Sequence, residues 1–260
     1  MEILDACFLL LTSHSYPMRL PVIEGLIKRR LLINFRADSA AVQKILPAGF
    51  RPKLHQGHAI VGICLIRLEQ IRPKGLPALL GVSSENAAHR IAMEWTDTDG
   101  TAREGVFIPR RDTDSLINAL GGGRLFPGEH HHSRFHVEDD GTAISFSMLS
   151  PGGEASIHVK ARAAEALPAD SIFGSLAETS AFFEKGCVGF SVTCDPKRLD
   201  GLELKTKHWE IHPLDVQEVR STFFEDPARF PKGTIHFDHA LVMRNIPHEW
   251  HSVADYTVPS

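Results

Sequence analysis

Residues 89–109 read HRIAMEWTDTDGTAREGVFIP, and this stretch decides the fold class. Ile91, Met93 and Trp95 alternate with Arg90, Glu94 and Thr96, which is the two-residue period of a half-buried strand. TDTDG supplies turn residues, and REGVFIP returns as a second strand-like run. Together they predict a β-hairpin.

The same pattern recurs outward from the hairpin. RRLLINFR (29–36) and HAIVGICLIRLEQI (58–71) precede it as strands, the second largely buried. HHHSRFHVE, TAISFSML and ASIHVKARA follow, separated by EDDG and SPGGE turns, and GCVGFSVTCD, LELKTKHWEI and TIHFDHALVM are later strand candidates. Helical signals are few. Asp38 or Ser39 caps AAVQKIL, which Pro47 closes, and Ser175–Lys185 is the best helix. Ala6–Leu11 is a short apolar element in an otherwise irregular start. No repeat, low-complexity tract or linker divides the chain. The expectation is one mainly β domain (β-rich α+β) over residues 1–260, an antiparallel β-barrel with a few short peripheral helices.

A chain of 260 residues can bury a sizeable core. With 43% hydrophobic and 23% charged residues it falls in the ordinary globular range. A net charge of −4 leaves no basic footprint for nucleic acid. Cys7, Cys64, Cys187 and Cys194 form no CxxC and are too sparse for a disulfide scaffold, so buried or free thiols in a reducing cytoplasm are expected. CFLLLTS follows Glu2 and Asp5 rather than a basic segment, and no run approaches the roughly 20 apolar residues of a membrane span. A cytoplasmic protein without membrane or nucleic-acid partners is the expectation.

Three motifs carry a family resemblance. RRLLINFRADSAAVQKILPAGF is similar to the opening strand, Asp-capped helix and Pro stop of the acetoacetate decarboxylase-like superfamily. SSENAAHRIAMEW resembles the segment bearing its active-site glutamate, which falls on Glu85, and AREGVFIPRR resembles the decarboxylases' Gly-Arg-Glu…Pro-Lys-Lys. HFDHALVMRNIPHEWH is similar to the last strand and tail. Within the superfamily the chain looks like the YqjF-like proteins of the domain of unknown function 2071, over about residues 24–251. The resemblance implies the single barrel domain, a small-molecule pocket and a homo-oligomer. In the decarboxylases the first lysine of the pair forms a Schiff base. Here both positions are arginine, Arg110 and Arg111, and a guanidinium offers no amine for an imine. Lys28, near a position where the decarboxylases have a basic residue, is the other lysine to consider.

The candidate site follows from these residues. Adjacent strand residues face opposite sides, so one of Arg110 and Arg111 can enter a cavity. There a guanidinium fork suits a carboxylate, phosphate or enolate oxygen; the alternative is an arginine tied to Asp112, Asp114 or Glu104. Glu85 is a candidate general acid or base, or else a surface-loop glutamate. Asn86 and His89 can orient a ligand or satisfy backbone, and Arg103 belongs to the matched motif. If residues 130–136 are extended, His130, His132, Arg134 and His136 share one face. Their spacing matches no closed metal motif, and His130 or His132 is expected as a proton carrier, without metal or cofactor. Gly121–Gly123 reads as a turn rather than a phosphate loop. Two functions remain open: lyase-like chemistry on a small carboxylate or oxoacid without a lysine imine, and non-catalytic small-molecule binding. A metal-dependent enzyme built on the histidines is a third.

Overall fold

The computed structural model describes residues 21–116, 119 and 127–259. Ala6–Leu11 and Gly121–Gly123 lie outside the described residues. The fold is mostly β. Eleven strands of five or more residues run along the chain: β1 (Ile23–Ala37), β2 (His58–Pro73), β3 (Val82–Thr96), β4 (Ala102–Thr113), β5 (Arg134–Asp139), β6 (Ala143–Leu149), β7 (Ser156–Ala163), β8 (Val188–Val192), β9 (Arg198–Thr206), β10 (His212–Ser221) and β11 (Ile235–Ser252). Three α-helices join them among the described residues, α1 (Ser39–Gln43), α2 (Leu176–Glu184) and α3 (Thr222–Glu225).

The hairpin is present, as β3 paired antiparallel with β4. Both of its strands are longer than the alternation alone suggests, so Glu85, Arg110 and Arg111 all lie inside strands. β1 follows suit: Leu31, Leu32 and Ile33 are all fully buried, so the run is apolar on both faces and the period-two signal vanishes there. The helix caps are chemical. Asp38 accepts a hydrogen bond from the Ala41 N–H at 2.9 Å, and Ser175 accepts from the Glu178 N–H at 3.1 Å, each satisfying a free donor of the first turn. β10 and α3 carried no clear signal in the sequence. β11 runs on through Pro247 to Ser252, well beyond the apolar core of TIHFDHALVM.

All strands belong to one sheet. The ladders run β9–β8–β4–β3–β2–β1–β11, and a further ladder, Leu202 to Thr206 against Ser252 to His248, joins β11 back to β9. From β11 the sheet also continues through β10, β7 and β6 to β5. Not every ladder is antiparallel: β8 pairs parallel with β4, as does the short strand His131–His132. β3 and β4 slip in register between His89 and Ile91, where three steps of β4, from Phe107 to Arg110, span two of β3. Such a bulge reverses the facing of every later residue on its strand.

Two apolar clusters lie on the two faces of the strands. One joins Leu31, Ile33, Leu65, Ile91 and Met93 to Phe146, Ile157 and Val159 of the β5–β7 extension. The other gathers Leu32, Leu68, Leu241, Met243 and Ile246 with Phe173 and Phe183. No helix of the described residues is long and apolar enough to cross a membrane. Cys64 and Cys187 are free thiols, whereas Cys194 is disulfide-bonded, which corrects the expectation of unpaired cysteines throughout.

Candidate functional site

A cavity of about 130 Å³ opens on the second of these faces. Each strand of the returning path contributes to its wall: Arg30 from β1, Cys64 from β2, Arg90 from β3, Arg111 from β4, Gly189 from β8, Leu202 from β9 and Trp250 from β11. Most of the remaining wall is apolar.

Strand parity decides which candidates reach it. On β3, Ser84, Asn86, Ala88 and Arg90 line the cavity. Glu85 and His89 have the opposite parity, the parity of Ile91 and Met93. Glu85 is buried there against Arg29, whose Nη2 donates to its Oε2 at 2.7 Å. Burial raises the Glu85 pKa, and the Arg29 charge pulls it back. The His89 ring stacks on Phe223 with centroids 4.6 Å apart, and its Nε2 lies 3.1 Å from the Ser221 hydroxyl. Burial, aided by the Arg110 charge, pushes its pKa down to about 3.

The bulge divides the arginine pair. Val106, Ile108 and Arg111 line the cavity, while Arg110 is not part of its wall and donates to both oxygens of Asp112 at 2.8 and 2.9 Å. The Arg111 Nε donates to Ser191 Oγ at 3.0 Å. Burial lowers its pKa to about 10, which leaves it charged at neutral pH.

Two arginines that the motifs did not single out complete the set. Arg30 donates from Nε to the Cys64 sulfur at 3.3 Å. Arg90 lies with its guanidinium 4.8 Å from the Phe183 ring centroid; burial lowers its pKa to about 10 as well. A chain of hydrogen bonds holds Arg90 from behind. A carboxylate only accepts, so the 2.6 Å contact between Asp238 Oδ2 and His239 Nδ1 fixes the imidazole proton on Nδ1. Nε2 then accepts from Asn34 Nδ2 at 2.9 Å, which leaves Asn34 Oδ1 to accept from Arg90 Nη2. Arg90, Gly62, Asn34 and His239 are successive cross-strand partners. Gly62 carries no side chain, and that lets Arg90 reach Asn34 across β2.

Asp112 is the carboxylate of the cavity lining, and it is engaged by Arg110 and by the Ser133 hydroxyl at 2.9 Å. His130 also faces the cavity. Its Nδ1 lies 3.1 Å from the Gly128 carbonyl, so in the neutral ring Nδ1 donates and Nε2 keeps its lone pair. Burial and the nearby Arg111 charge push its pKa down to about 3.

The other expected residues sit elsewhere. Asn86 lines the cavity, with its amide donating to Ser84 Oγ at 2.9 Å. Lys28 is exposed and donates to Asn245 at 3.0 Å. Arg103 pairs with Asp97 at 3.4 Å near the hairpin turn. His132 is half-buried beside β4 and outside the cavity wall. Among the described residues, no three His, Cys, Asp or Glu side chains converge to hold a metal ion.

The family model of the domain of unknown function 2071, described as an uncharacterized conserved protein, matches residues 27–241. No curated protein matches the chain. Among solved structures, an acetoacetate decarboxylase-like enzyme from Sphingomonas wittichii RW1 is 14% identical with a TM-score of 0.56, over 98% of this chain and 99% of that one. The enduracididine biosynthesis enzyme MppR, complexed with pyruvate, is 11% identical with a TM-score of 0.55, over 96% and 93%. The acetoacetate decarboxylase of Legionella pneumophila is 13% identical with a TM-score of 0.50, over 98% and 97%. Likeness at these identities is a likeness of fold.

Proposed function

Because the chain belongs to the domain of unknown function 2071 family and has the acetoacetate decarboxylase-like fold, we propose that it binds a small carboxylate or 2-oxo acid in the cavity lined by Arg30, Arg90 and Arg111. The returning strand path is read as a barrel, forming one domain, with this cavity as its interior. The observation that carries the reading is a mismatch of charge. Three guanidinium groups line the cavity, while the lining carboxylate, Asp112, is engaged by Arg110. Asp200 acts on Arg111, but no carboxylate acts comparably on Arg90 among the described residues; burying cations against so little counter-charge is costly, and an anionic ligand relieves that cost. Apolar walls with a few convergent polar groups suit a small organic acid. Pyruvate, bound in one neighbour of the same fold, is a sensible first ligand.

Lyase-type chemistry remains a second reading, favoured by one observation. The His130 imidazole lines the same chamber, and an anionic ligand held by Arg111 would offset the charge that helps to lower its pKa, which fits it to take a proton from a carbon acid bound there. Among the described residues no lysine lines the cavity, so such a reaction runs without an imine.

Calorimetric titration of untagged protein with pyruvate, other short 2-oxo acids and the neutral analogue pyruvamide tests the proposal. Pyruvate or a related acid should bind and the amide should not. Arg111→Ala should weaken binding by about tenfold or more, the value of a lost charged hydrogen bond, while Arg103→Ala, paired with Asp97 at the hairpin turn, should leave it unchanged. Binding of no acid, or an equal loss in both variants, overturns the reading.

A further inference from the structure

Two free thiols, Cys64 and Cys187, line the same cavity in different settings. Cys64 lies among cations. Arg30 donates to its sulfur at 3.3 Å, and it interacts electrostatically with both Arg90 and Arg111. Cys187 sits in a mixed setting: burial pushes its thiol up, Glu203 and Glu104 push it the same way, and Lys205 pulls it back. A second observation concerns the hydrogen-bonding capacity of the same wall. Arg90 is only 7% exposed and lines the cavity, yet its Nε has no hydrogen-bond partner among the described residues.

We propose that Cys64 is a nucleophilic thiol that forms covalent adducts with small electrophilic carboxylates drawn into the cavity. The inference rests on the anion-binding reading above and adds a reactive atom to that site. The ligand class is a short acid with a soft electrophilic carbon next to the carboxylate or conjugated to it, such as a 2-halo or 2,3-unsaturated acid. With a 2-halo acid, a sulfur electron pair forms the S–C bond at carbon 2. The carbon–halogen bond breaks with its pair, halide leaves, and the thiol proton passes to solvent. With an unsaturated acid, sulfur adds at carbon 3, and carbon 2 takes a proton from water. Neither step needs an oxidant or reductant. The guanidinium groups hold the carboxylate and so bring its electrophilic carbon up to the sulfur. The competing account treats Cys64 as a small buried hydrophobe, which gives slow alkylation with no preference for charge.

Iodoacetate and its neutral analogue iodoacetamide separate the two accounts, and Cys187 serves as a control thiol in the same molecule. The folded full-length protein is treated with each reagent at neutral pH, and adducts at both cysteines are followed in time by peptide mass mapping. Cys64 should take iodoacetate faster than iodoacetamide, and faster than Cys187 takes iodoacetate, by about tenfold in each comparison, the low end of electrostatic steering. Arg30→Met should abolish the preference at Cys64, and Arg30→Lys, which keeps the charge, should retain part of it. Pyruvate should slow the labelling.

Cys64→Ser, titrated with pyruvate, keeps the two readings apart. If Cys64 stays unlabelled by either reagent while pyruvate still binds Cys64→Ser, the thiol proposal fails and the anion cavity stands. If Cys64 is alkylated faster by iodoacetamide and pyruvate does not bind, both readings fall. A preference for iodoacetate that survives in Arg30→Met and is insensitive to pyruvate also overturns the proposal.

Discussion

Arg29 and Glu85 meet at 2.7 Å on the strand face turned away from the cavity. Asp139 stands 3.7 Å from the same guanidinium and itself takes two hydrogen bonds from Arg244 at 2.8 and 2.9 Å. This is a buried ionic contact tying β1 and β3 to the end of β5. Removing Glu85 leaves Arg29 with only the more distant Asp139, and breaking such a buried pair costs about 3 kcal/mol. Glu85→Ala should therefore destabilise the fold by about that amount in chemical denaturation, with pyruvate affinity unchanged. A variant of normal stability that no longer binds would return Glu85 to the site.

Gly62 and Asn34 define the second prediction. A methyl group at Gly62 would stand 2.5 Å from the Ile33 carbonyl oxygen and 3.1 Å from Asn34 Oδ1. The carbonyl is backbone and cannot swing aside, and Asn34 is held by His239 at 2.9 Å. Gly62→Ala should cost about 1–3 kcal/mol through overpacking and should also weaken pyruvate binding by releasing Arg90. Ala161→Gly, buried in the other cluster, is a comparison that should leave affinity intact even where it lowers stability. Equal affinity in Gly62→Ala and wild type would show that Arg90 does not act on the ligand.

How far the site was legible depended on strand parity. In HRIAMEWT the apolar face is Ile91, Met93 and Trp95, and extending that parity backwards already puts His89 and Glu85 on it, away from Asn86 and Arg90. Arg90 gives no such signal, because the polar face of an amphipathic strand ordinarily meets solvent. When a sheet returns on itself, that face lines the interior. The facing of the arginine pair was legible only as an alternative, because a bulge near Pro109 reverses parity between Ile108 and Arg111. The return itself rests on β9 pairing with β11 and β4 with β8. These are contacts between distant segments, for which local periodicity carries no signal. Arg30 escaped notice because β1 is apolar on both faces around it, so neither side was marked as the cavity side.

Acid sensitivity follows from three buried histidines. Burial, with neighbouring arginines, lowers His89 and His130 to about 3 and His248 to about 4. Between these values and the ordinary value of 6.5, the unfolded chain binds protons that the folded chain refuses. Stability is thus fully present above about pH 6.5 and falls as the pH drops toward 4, by up to about 1.4 kcal/mol per pH unit for each histidine. Denaturation midpoints across pH 4 to 8 should show this decline, and His130→Gln should make it shallower. A midpoint flat from pH 7 to 4.5 would contradict the three burials.

Returning a lysine to the cavity tests the facing of the arginine pair by chemistry rather than affinity. Arg111 faces inward and Arg110 faces Asp112, although the resemblance places the decarboxylases' Schiff-base lysine at Arg110. An amine at position 111 would be desolvated and set near Arg30 and Arg90. Both effects favour the neutral, nucleophilic form. Arg111→Lys should then condense with pyruvate, the amine adding to the keto carbon and water leaving, and borohydride should trap the imine as a stable secondary amine seen by intact mass. Arg110→Lys, outside the cavity wall and held against Asp112, should trap little. The reverse result would move the inward position to 110 and, with it, the proposed anion contact.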